Sequence, residues 1–171
     1  MLKFDEYCLR ALEPYDLDAL YFWENELNSY TNHEQFYSKF TLEKYIEQAH
    51  LSLLEAKQYR FVLSKINEPD LCLGFIDLVD YDPNHRRVEI GILISPSYRN
   101  KQLGKRALLT IEEYIKSQFN IHQLYCYIAF DNDISIKLFK SVGYQKQGEL
   151  KDWRRFKEEW KDVYIFQKLL K

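Results

Sequence analysis

A strand-loop-helix unit near the middle of the chain constrains the fold more than any other feature of the sequence. Residues 90–94 form an apolar run of strand composition, and Leu103–Phe119 repeats apolar residues at the spacing of an amphipathic helix. Residues 99–104 join them with cations at the helix N-terminus, where free N–H groups and the helix dipole attract phosphate. Gly104 lacks a Cβ, so its backbone is expected to approach an anion closely. A solvated basic loop and an anion-binding loop both remain open, whereas a Walker loop is a poor fit, because Arg106 stands where that motif has Ser or Thr.

Apolar periodicity and turn residues predict the rest of the chain in the order β-α-α-β-β-β-α-β-α-β-β. Turns at 67–70 and 81–84 separate three of the strands and favour an antiparallel meander. This mixture of elements is typical of an α/β or α+β sheet with helices on its faces. The predicted strands are residues 7–10, 59–66, 71–79, 88–94, 123–130, a run after Gly143 and Tyr144, and 163–169; the predicted helices are residues 14–27, 41–56, 103–119 and 134–141.

Length, charge and cysteine content narrow the classes of function. The 171 residues hold no repeat or Pro/Gly-rich linker, so we expect a single domain over residues 1–171. With 24 basic and 26 acidic residues the net charge is −2, which argues against a nucleic-acid partner. No apolar run approaches about 18 residues and no signal-peptide pattern is present, so no membrane partner is expected. Cys8, Cys72, Cys126 and the four histidines lack ligand spacing, which predicts no metal site and reduced thiols in the cytoplasm.

Two short motifs carry a family resemblance. Arg99 and Gly104 occupy the ends of the pattern Arg/Gln-x-x-Gly-x-Gly/Ala, and Gln102 stands at its middle glycine. A later segment follows Asn-x-x-Ser-x-x-x-Tyr-x-x-x-Gly-Phe, and the two occur in this order with a strand between them. The chain therefore resembles the acetyl-CoA-dependent N-acetyltransferases of the GNAT superfamily. The positions of the second motif are Asn132, Ser135, Phe139 (in the place of the family's Tyr), Gly143 and Tyr144.

The resemblance covers nearly the whole chain and is nearest to the branch of ribosomal-protein N-terminal acetyltransferases and spermidine acetyltransferases. It implies a mixed, mostly antiparallel central sheet of about seven strands flanked by about four helices. It also implies transfer of an acetyl group from acetyl-CoA to a primary amine by direct attack in a ternary complex. The acceptor would be a small-molecule amine or polyamine, or a protein N-terminus. Strand backbone would bind the pantetheine arm and the loop would bind the pyrophosphate; the residues expected at acetyl-CoA are Ile92, Leu93, Ile94, Arg99, Asn100, Lys101, Gln102, Leu103, Gly104, Lys105, Asn132, Ser135 and Phe139.

Glu89 is the leading candidate for the base that accepts a proton from the attacking ammonium. It lies in the apolar strand that leads to the loop, where burial would raise the pKa of its carboxyl. Asp77 and Asp80 on the preceding strand are weaker alternatives. Glu89 could instead lie on the solvent face of the sheet, or form an ion pair with Arg86 or Arg87, without a catalytic role.

Phe139 stands where the family often has the Tyr that protonates the leaving thiolate, and it has no acidic proton. Either Tyr127 or Tyr144 takes that role, or the thiolate leaves without a dedicated acid. Phe139 itself is expected to be a core aromatic residue. Asn132 is also expected to cap the following helix.

Other interpretations remain open at this point. Because Gln102 and Phe139 depart from the family pattern, the chain could be an acyl-CoA-binding module that has lost transfer activity. The basic loop is also compatible with a nucleotide- or RNA-associated domain. Glu24 and Glu26 could border an amine pocket or lie on a solvated helix face. An edge strand near the C-terminus could pair with a second copy of the chain, which leaves a homo-oligomer open.

Overall fold

The computed structural model describes residues 1–25, 36–156 and 158–170. Within these residues one sheet holds eight strands. The strands are β1 (Leu2–Phe4), β2 (Tyr7–Ala11), β3 (Tyr59–Lys65), β4 (Gly74–Asp82), β5 (Arg87–Ile94), β6 (Gln123–Ala129), β7 (Gln145–Phe156) and β8 (Glu159–Leu169).

The strands lie side by side in the order β1-β2-β3-β4-β5-β6-β8-β7. All neighbours in the described sheet are antiparallel except β5 and β6. This confirms the expected mixed, mostly antiparallel sheet, and the predicted meander is β3-β4-β5. The described sheet has eight strands rather than about seven, because the chain turns back at Asp5, which has a left-handed φ of 50°, and pairs β1 with β2.

The helices of the described residues number five rather than about four, because the helix predicted over residues 41–56 is interrupted. A 3-10 turn at Gln48–His50 ends its first part, and Leu51 is extended. Ser52 then starts a new helix with a capping box, in which its hydroxyl accepts from the Glu55 N–H and the Glu55 carboxylate accepts from the Ser52 N–H. The helices are α1 (Leu17–Asn25), α2 (Lys39–Glu47), α3 (Leu53–Ala56), α4 (Leu103–Phe119) and α5 (Asp133–Ser141).

Other predicted boundaries also move. The helix predicted over 14–27 begins as a 3-10 turn at Pro14–Asp16, and its last two residues lie outside the described residues. The strand predicted over 71–79 begins at Gly74. The last strand begins at Glu159 rather than residue 163, because the hairpin with β7 continues through residues 159–162, three of which are charged, to the pair Phe156↔Glu159. Charged side chains at a sheet edge hide such an extension from hydrophobic periodicity.

The two faces of the sheet are covered by different helices. Alternate residues of β4 show this division: Ile76 belongs to the core under α4 and α5, whereas Phe75 packs with α1 and α2. On the α1 face, the rings of Trp23 and Phe75 meet edge to face at 5.6 Å. On the α4 face, Ile111 and Ile115 are fully buried, as expected from the helical periodicity. Among the described residues, the helices on the α1 face leave part of the sheet near β5 uncovered, and the site described below lies there.

One ion pair interrupts the apolar core beneath α4. Glu112 is 5% exposed, and its Oε2 accepts a hydrogen bond from Lys168 Nζ of β8 at 2.5 Å. Its Oε1 and the hydroxyl of Tyr144 have no hydrogen-bond partner among the described residues. Burial raises the pKa of the Glu112 carboxyl, and the Lys168 ammonium opposes that rise. The ion pair joins α4 to β8. The Lys168 ammonium stabilises the ionised Glu112 carboxylate at a position where burial alone would disfavour its charge.

We predict that Lys168→Met destabilises the fold by about 3–5 kcal/mol, because it leaves the Glu112 charge buried without a partner. The substitution raises the pKa of Glu112 further, so the folded state favours the protonated carboxyl and the loss is smaller at pH 5 than at pH 8. Urea unfolding at the two pH values measures the loss. The double variant Glu112→Gln/Lys168→Met is the control and should recover part of it; an equal loss at both pH values would contradict this account.

Candidate active site

The site is organised by the point at which β5 and β6 separate. The described parallel pairing ends with Glu89↔Tyr125, although both strands continue past these residues. Beyond that point β5 stays paired with β4 as far as Gly74↔Ile94, and β6 stays paired with β8 as far as Ala129↔Val163. The facing edges of β5 and β6 therefore present backbone N–H and C=O groups that their own strands do not satisfy.

Two clefts meet at this separation. The larger, of about 770 Å³, lies against residues 99–105 at the start of α4 and is called the loop cleft. The smaller, of about 500 Å³, contains Glu24, Asp77 and Glu89 and is called the carboxylate cleft. Because the two clefts share five lining residues, they form one continuous passage at the gap between β5 and β6. The shared residues are Ile92, Leu93, Ala129, Asn132 and Ser135.

The structure brings most of the expected acetyl-CoA residues together in the loop cleft. Lys101 is an exception, since its ammonium lies over the ring of Tyr98 at 5.0 Å and does not line either cleft. Phe139 lines the carboxylate cleft instead. Of the residues expected at acetyl-CoA, those that line the loop cleft are Ile92, Leu93, Ile94, Arg99, Asn100, Gln102, Leu103, Gly104, Lys105, Asn132 and Ser135.

The loop between β5 and α4 presents the start of the helix to the loop cleft. The backbone N–H of Arg106 donates to Gln102 O at 3.1 Å and forms the first turn of α4. The N–H groups of residues 103–105 therefore precede the helical hydrogen bonds, as at any helix start. Arg99 Nε donates to Ile94 O at 3.0 Å and ties the loop to the end of β5. This arrangement suits a phosphate group.

Close packing explains why residue 104 is a glycine, which the sequence alone did not reveal. It is buried, and a Cβ built on it would lie 3.0 Å from Ile94 Cδ1 and 3.1 Å from Leu138 Cδ2. The missing side chain lets α4 lie close to β5 and α5. A larger residue would displace the helix whose N-terminus forms the loop cleft.

The second motif forms the opposite wall of both clefts. Asn132 Oδ1 accepts a hydrogen bond from the Ser135 N–H at 3.1 Å, so Asn132 caps α5 as predicted. Phe139 is buried and its ring meets Tyr144 edge to face at 4.9 Å. Tyr144 lies behind Phe139 and lines neither cleft, and burial raises the pKa of its hydroxyl. Tyr127, in contrast, lines the carboxylate cleft.

Glu89 occupies the last paired position before β5 and β6 separate. Its side chain is half-buried and makes no hydrogen bond or ion pair with the described residues. Burial raises the pKa of its carboxyl, the Arg154 guanidinium opposes the rise, and the charge of Asp80 adds to it. Neither arginine expected as a partner faces Glu89. Arg86 donates to Asn120, and Arg87 pairs with Asp82 at 3.3 Å.

Asp80 reaches over Glu89 because β4 bulges at this point. The register between β4 and β5 shifts after Val79, and Asp80 has a left-handed φ of 53°. Its Oδ2 accepts a hydrogen bond from the Tyr125 hydroxyl at 2.8 Å, although β5 lies between the two strands. An exposed carboxylate is thereby held near Glu89.

Sequence reasoning did not identify Arg60, which organises the floor of the carboxylate cleft. Its guanidinium donates to both oxygens of Asp77, at 2.5 and 3.0 Å, and to Glu24 Oε1 at 2.6 Å. It also lies 5.0 Å from the ring centre of Phe75 and 5.6 Å from that of Tyr45. An arginine within the apolar strand residues 59–66 was the available signal. Glu24 and Glu26 were the two residues that could border an amine pocket or lie on a solvated helix face; Glu24 lines the carboxylate cleft, and Glu26 lies outside the described residues.

Comparison with known proteins decides the family. Residues 7–145 match the acetyltransferase (GNAT) domain. The chain belongs to this family. It is 28% identical over 145 residues to spermidine N(1)-acetyltransferase of Escherichia coli (strain K12), which covers 83% of this chain and 74% of the relative.

The GNAT fold is also that of solved structures. The crystal structure of spermidine N-acetyltransferase from Vibrio cholerae in complex with CoA and spermine superposes with a TM-score of 0.85 at 24% identity, covering 96% of this chain and 95% of that one. A dodecameric structure of the same enzyme in an intermediate state gives a TM-score of 0.79 at 24% identity, covering 96% and 94%.

Membership of the GNAT family confirms the expected activity and cosubstrate. The chain is an N-acetyltransferase that uses acetyl-CoA to acetylate an amine. The loop cleft fits that cosubstrate, because it combines free helix N–H groups with an unpaired strand edge. In the described ranges no three His, Cys, Asp or Glu side chains are grouped to hold a metal ion. Across those same residues, none of the helices has the length and apolar character needed to cross a membrane.

Gln102, which replaces the middle glycine of the GNAT motif, adopts a backbone conformation that glycine favours. Its φ of 57° and ψ of 7° are left-handed. Such a conformation costs a residue with a Cβ about 1–2 kcal/mol. We predict that Gln102→Gly stabilises the protein by about 1 kcal/mol, measured by urea unfolding.

Gln102→Ala is the matched control, since it shortens the side chain and keeps the Cβ. It should give no stabilisation. Equal gains in the two variants would show that the side chain, and not the backbone conformation, strains the loop.

Proposed function

We propose that the chain acetylates a primary amine at the end of a linear aliphatic cation, for which spermidine is the model. The observation that carries this proposal is the unpaired Glu89 carboxylate in the carboxylate cleft, next to the point where β5 and β6 separate. An ammonium group entering this cleft would find a carboxylate that no described side chain neutralises by direct contact. Relatives that act on spermidine support the same acceptor class.

In this proposal Glu89 accepts the proton that the ammonium must lose before its nitrogen can attack. Burial favours that role, since a raised pKa makes the carboxylate a stronger base. Asp77 is a poorer candidate because Arg60 already holds both of its oxygens. Asp80 is better suited to tune Glu89 than to replace it, because its Oδ2 is engaged by Tyr125.

We infer that transfer is direct, without an acyl-enzyme. Cys126 lines the carboxylate cleft, but burial raises the pKa of its thiol, which keeps it protonated and a poor nucleophile. The amine nitrogen then forms its bond to the thioester carbonyl carbon as the carbon–sulfur bond breaks and the CoA thiolate leaves. The sequence offered two tyrosines that could protonate this thiolate, Tyr127 and Tyr144. Tyr127 lines the carboxylate cleft, whereas Tyr144 lines neither cleft.

The backbone of Ile92 and Ile94 would pair with the pantetheine arm on the open edge of β5. The N–H groups of residues 103–105, with Arg99, would hold the pyrophosphate. Asn132 and Ser135 would lie beside the cosubstrate on the opposite wall. Lys101 has no part in this arrangement because it lies over Tyr98.

A protein N-terminus is the second acceptor class, and Arg154 is the observation that favours it. Arg154 lines the carboxylate cleft, and no described residue forms a hydrogen bond or ion pair with it. A guanidinium in this place would repel a second ammonium group. It would donate well to the first peptide carbonyl beside an α-amino group.

The extent of the domain and the assembly are also proposed. Residues 1–171 would form a single acetyltransferase domain, since β8 lies beyond the matched residues and pairs with β6 inside them. The edge strand β7 and the exposed Trp153 and Trp160 would support a homo-oligomer. The dodecameric Vibrio cholerae enzyme supports the same proposal.

The proposal predicts turnover of acetyl-CoA with spermidine, measured as release of the CoA thiol, with a short peptide as the alternative acceptor. Glu89→Gln should lower kcat/KM by about 100-fold or more, as expected for loss of a general base. The same variant should keep the thermal stabilisation by acetyl-CoA, about 2.7 kcal/mol at 100 times the Kd. Stabilisation without turnover of any amine by the wild type would instead support a binding module.

The charges around Glu89 predict opposite shifts in the pH profile. Activity requires the ionised carboxylate, so the acid limb of kcat/KM follows the pKa of Glu89. Asp80→Asn removes a negative charge and should move that limb to lower pH. Arg154→Gln removes the opposing positive charge and should move it to higher pH. Shifts in the same direction would mean that another group controls the limb.

A further inference from the structure

Gly91 leaves an open space in the floor of the carboxylate cleft. It lies on β5 two residues after Glu89, opposite Asp77 of β4, and it lines that cleft. A Cβ built on Gly91 would have one heavy atom of the described residues within 4 Å, the Asp77 Cβ at 3.9 Å. A side chain would therefore meet no clash with the described residues, and it would project into the cleft.

The surrounding contacts keep this space open. Asp77 pairs with Arg60, which lies on β3, the neighbour of β4 on the side away from β5. On the other side of Gly91, β6 has already separated from β5. Neither of these neighbouring strands covers the position, and Gly91 is half-buried. Glu89 lies two residues earlier on β5, and its side chain therefore points to the same face of the sheet as position 91.

The described part of the fold gives no reason for glycine at position 91. Gly91 is not among the residues with a positive φ, so its backbone suits any L-residue. Gly74 differs, since a Cβ there would lie 2.2 Å from Leu93 O. Glycine weakens a strand by its conformational freedom and often marks the close approach of a ligand.

We propose that Gly91 is a specificity-determining residue. The open space that it leaves in the floor of the carboxylate cleft, called the notch below, receives the carbon chain next to the reacting amine. The inference rests on the proposed function, because it requires the acceptor to lie in the carboxylate cleft with its nitrogen at Glu89. The notch allows a branch on the carbon that bears the amine. A side chain at this position would fill the notch and restrict the enzyme to unbranched amines.

The test uses Gly91→Ala and Gly91→Val, with Gly148→Ala as the control. Gly148 is also a strand glycine, and none of the described heavy atoms lies within 4 Å of its built Cβ. Each variant is assayed with the amines that the wild type acetylates, as pairs with and without a methyl group on the carbon bearing the amine. Thermal shift with acetyl-CoA reports cosubstrate binding separately.

We expect Gly91→Val to lower kcat/KM for the acceptor by about 10-fold or more, mainly through KM, with unchanged acetyl-CoA binding. Gly91→Ala should lower kcat/KM more for the branched amine than for the linear one. Gly148→Ala should change neither ratio, and no variant should be less stable to unfolding.

Equal acceptor kinetics in Gly91→Val and the wild type, or a loss shared with acetyl-CoA binding, would overturn the inference while the proposed function stands. If the wild type acetylates no amine of the panel, the proposed function fails and the inference fails with it. The wild-type measurement thus distinguishes the two failures.

Discussion

The separation of β5 from β6 after Glu89↔Tyr125 is the constraint on which the rest of the site depends. Each strand keeps its antiparallel partner on the far side, so the sheet stays continuous elsewhere. The facing edges are left with backbone groups that need partners. An extended amide-containing arm, such as that of acetyl-CoA, supplies them. The same separation joins the loop cleft to the carboxylate cleft, which brings donor and acceptor together at one place.

The carboxylates of the carboxylate cleft have two different roles. Glu24 and Asp77 form structural ion pairs, whereas Glu89 is proposed to act as the general base. Arg60 binds Glu24 and Asp77 and thereby fixes α1 and β4 to the floor. No described residue pairs with Glu89 in this way, while burial and the charge of Asp80 raise the pKa of its carboxyl and Arg154 lowers it. A general base must be ionised at the working pH and still attract a proton. Opposed influences on one carboxylate allow both conditions to be met.

The sequence predicted those parts of the site that local signals determine. The strand-loop-helix unit, the Asn132 cap and the meander all depend on residues close together in the chain. The split of the helix over 41–56 was not predicted, although Ser52 and Glu55, which form a capping box, were a local signal of it. The Arg60 contacts could not be predicted, because they join residues 24, 60 and 77 that only the tertiary fold brings together. The bulge at Asp80 was hidden for the same reason.

Glycine illustrates what a sequence cannot show by itself. Gly74, Gly104 and Gly91 are the same residue type near β5, yet the missing Cβ has three different consequences. At Gly74 it avoids a backbone carbonyl, and at Gly104 it admits two side chains of the core. At Gly91 it leaves a space that the described fold does not fill. Since the first two glycines are needed for packing and the described residues do not require the third, Gly91 is the one of these three whose replacement should stabilise the fold. A position where the protein forgoes such a gain, within reach of Glu89, is best explained by the substrate that must pass over it.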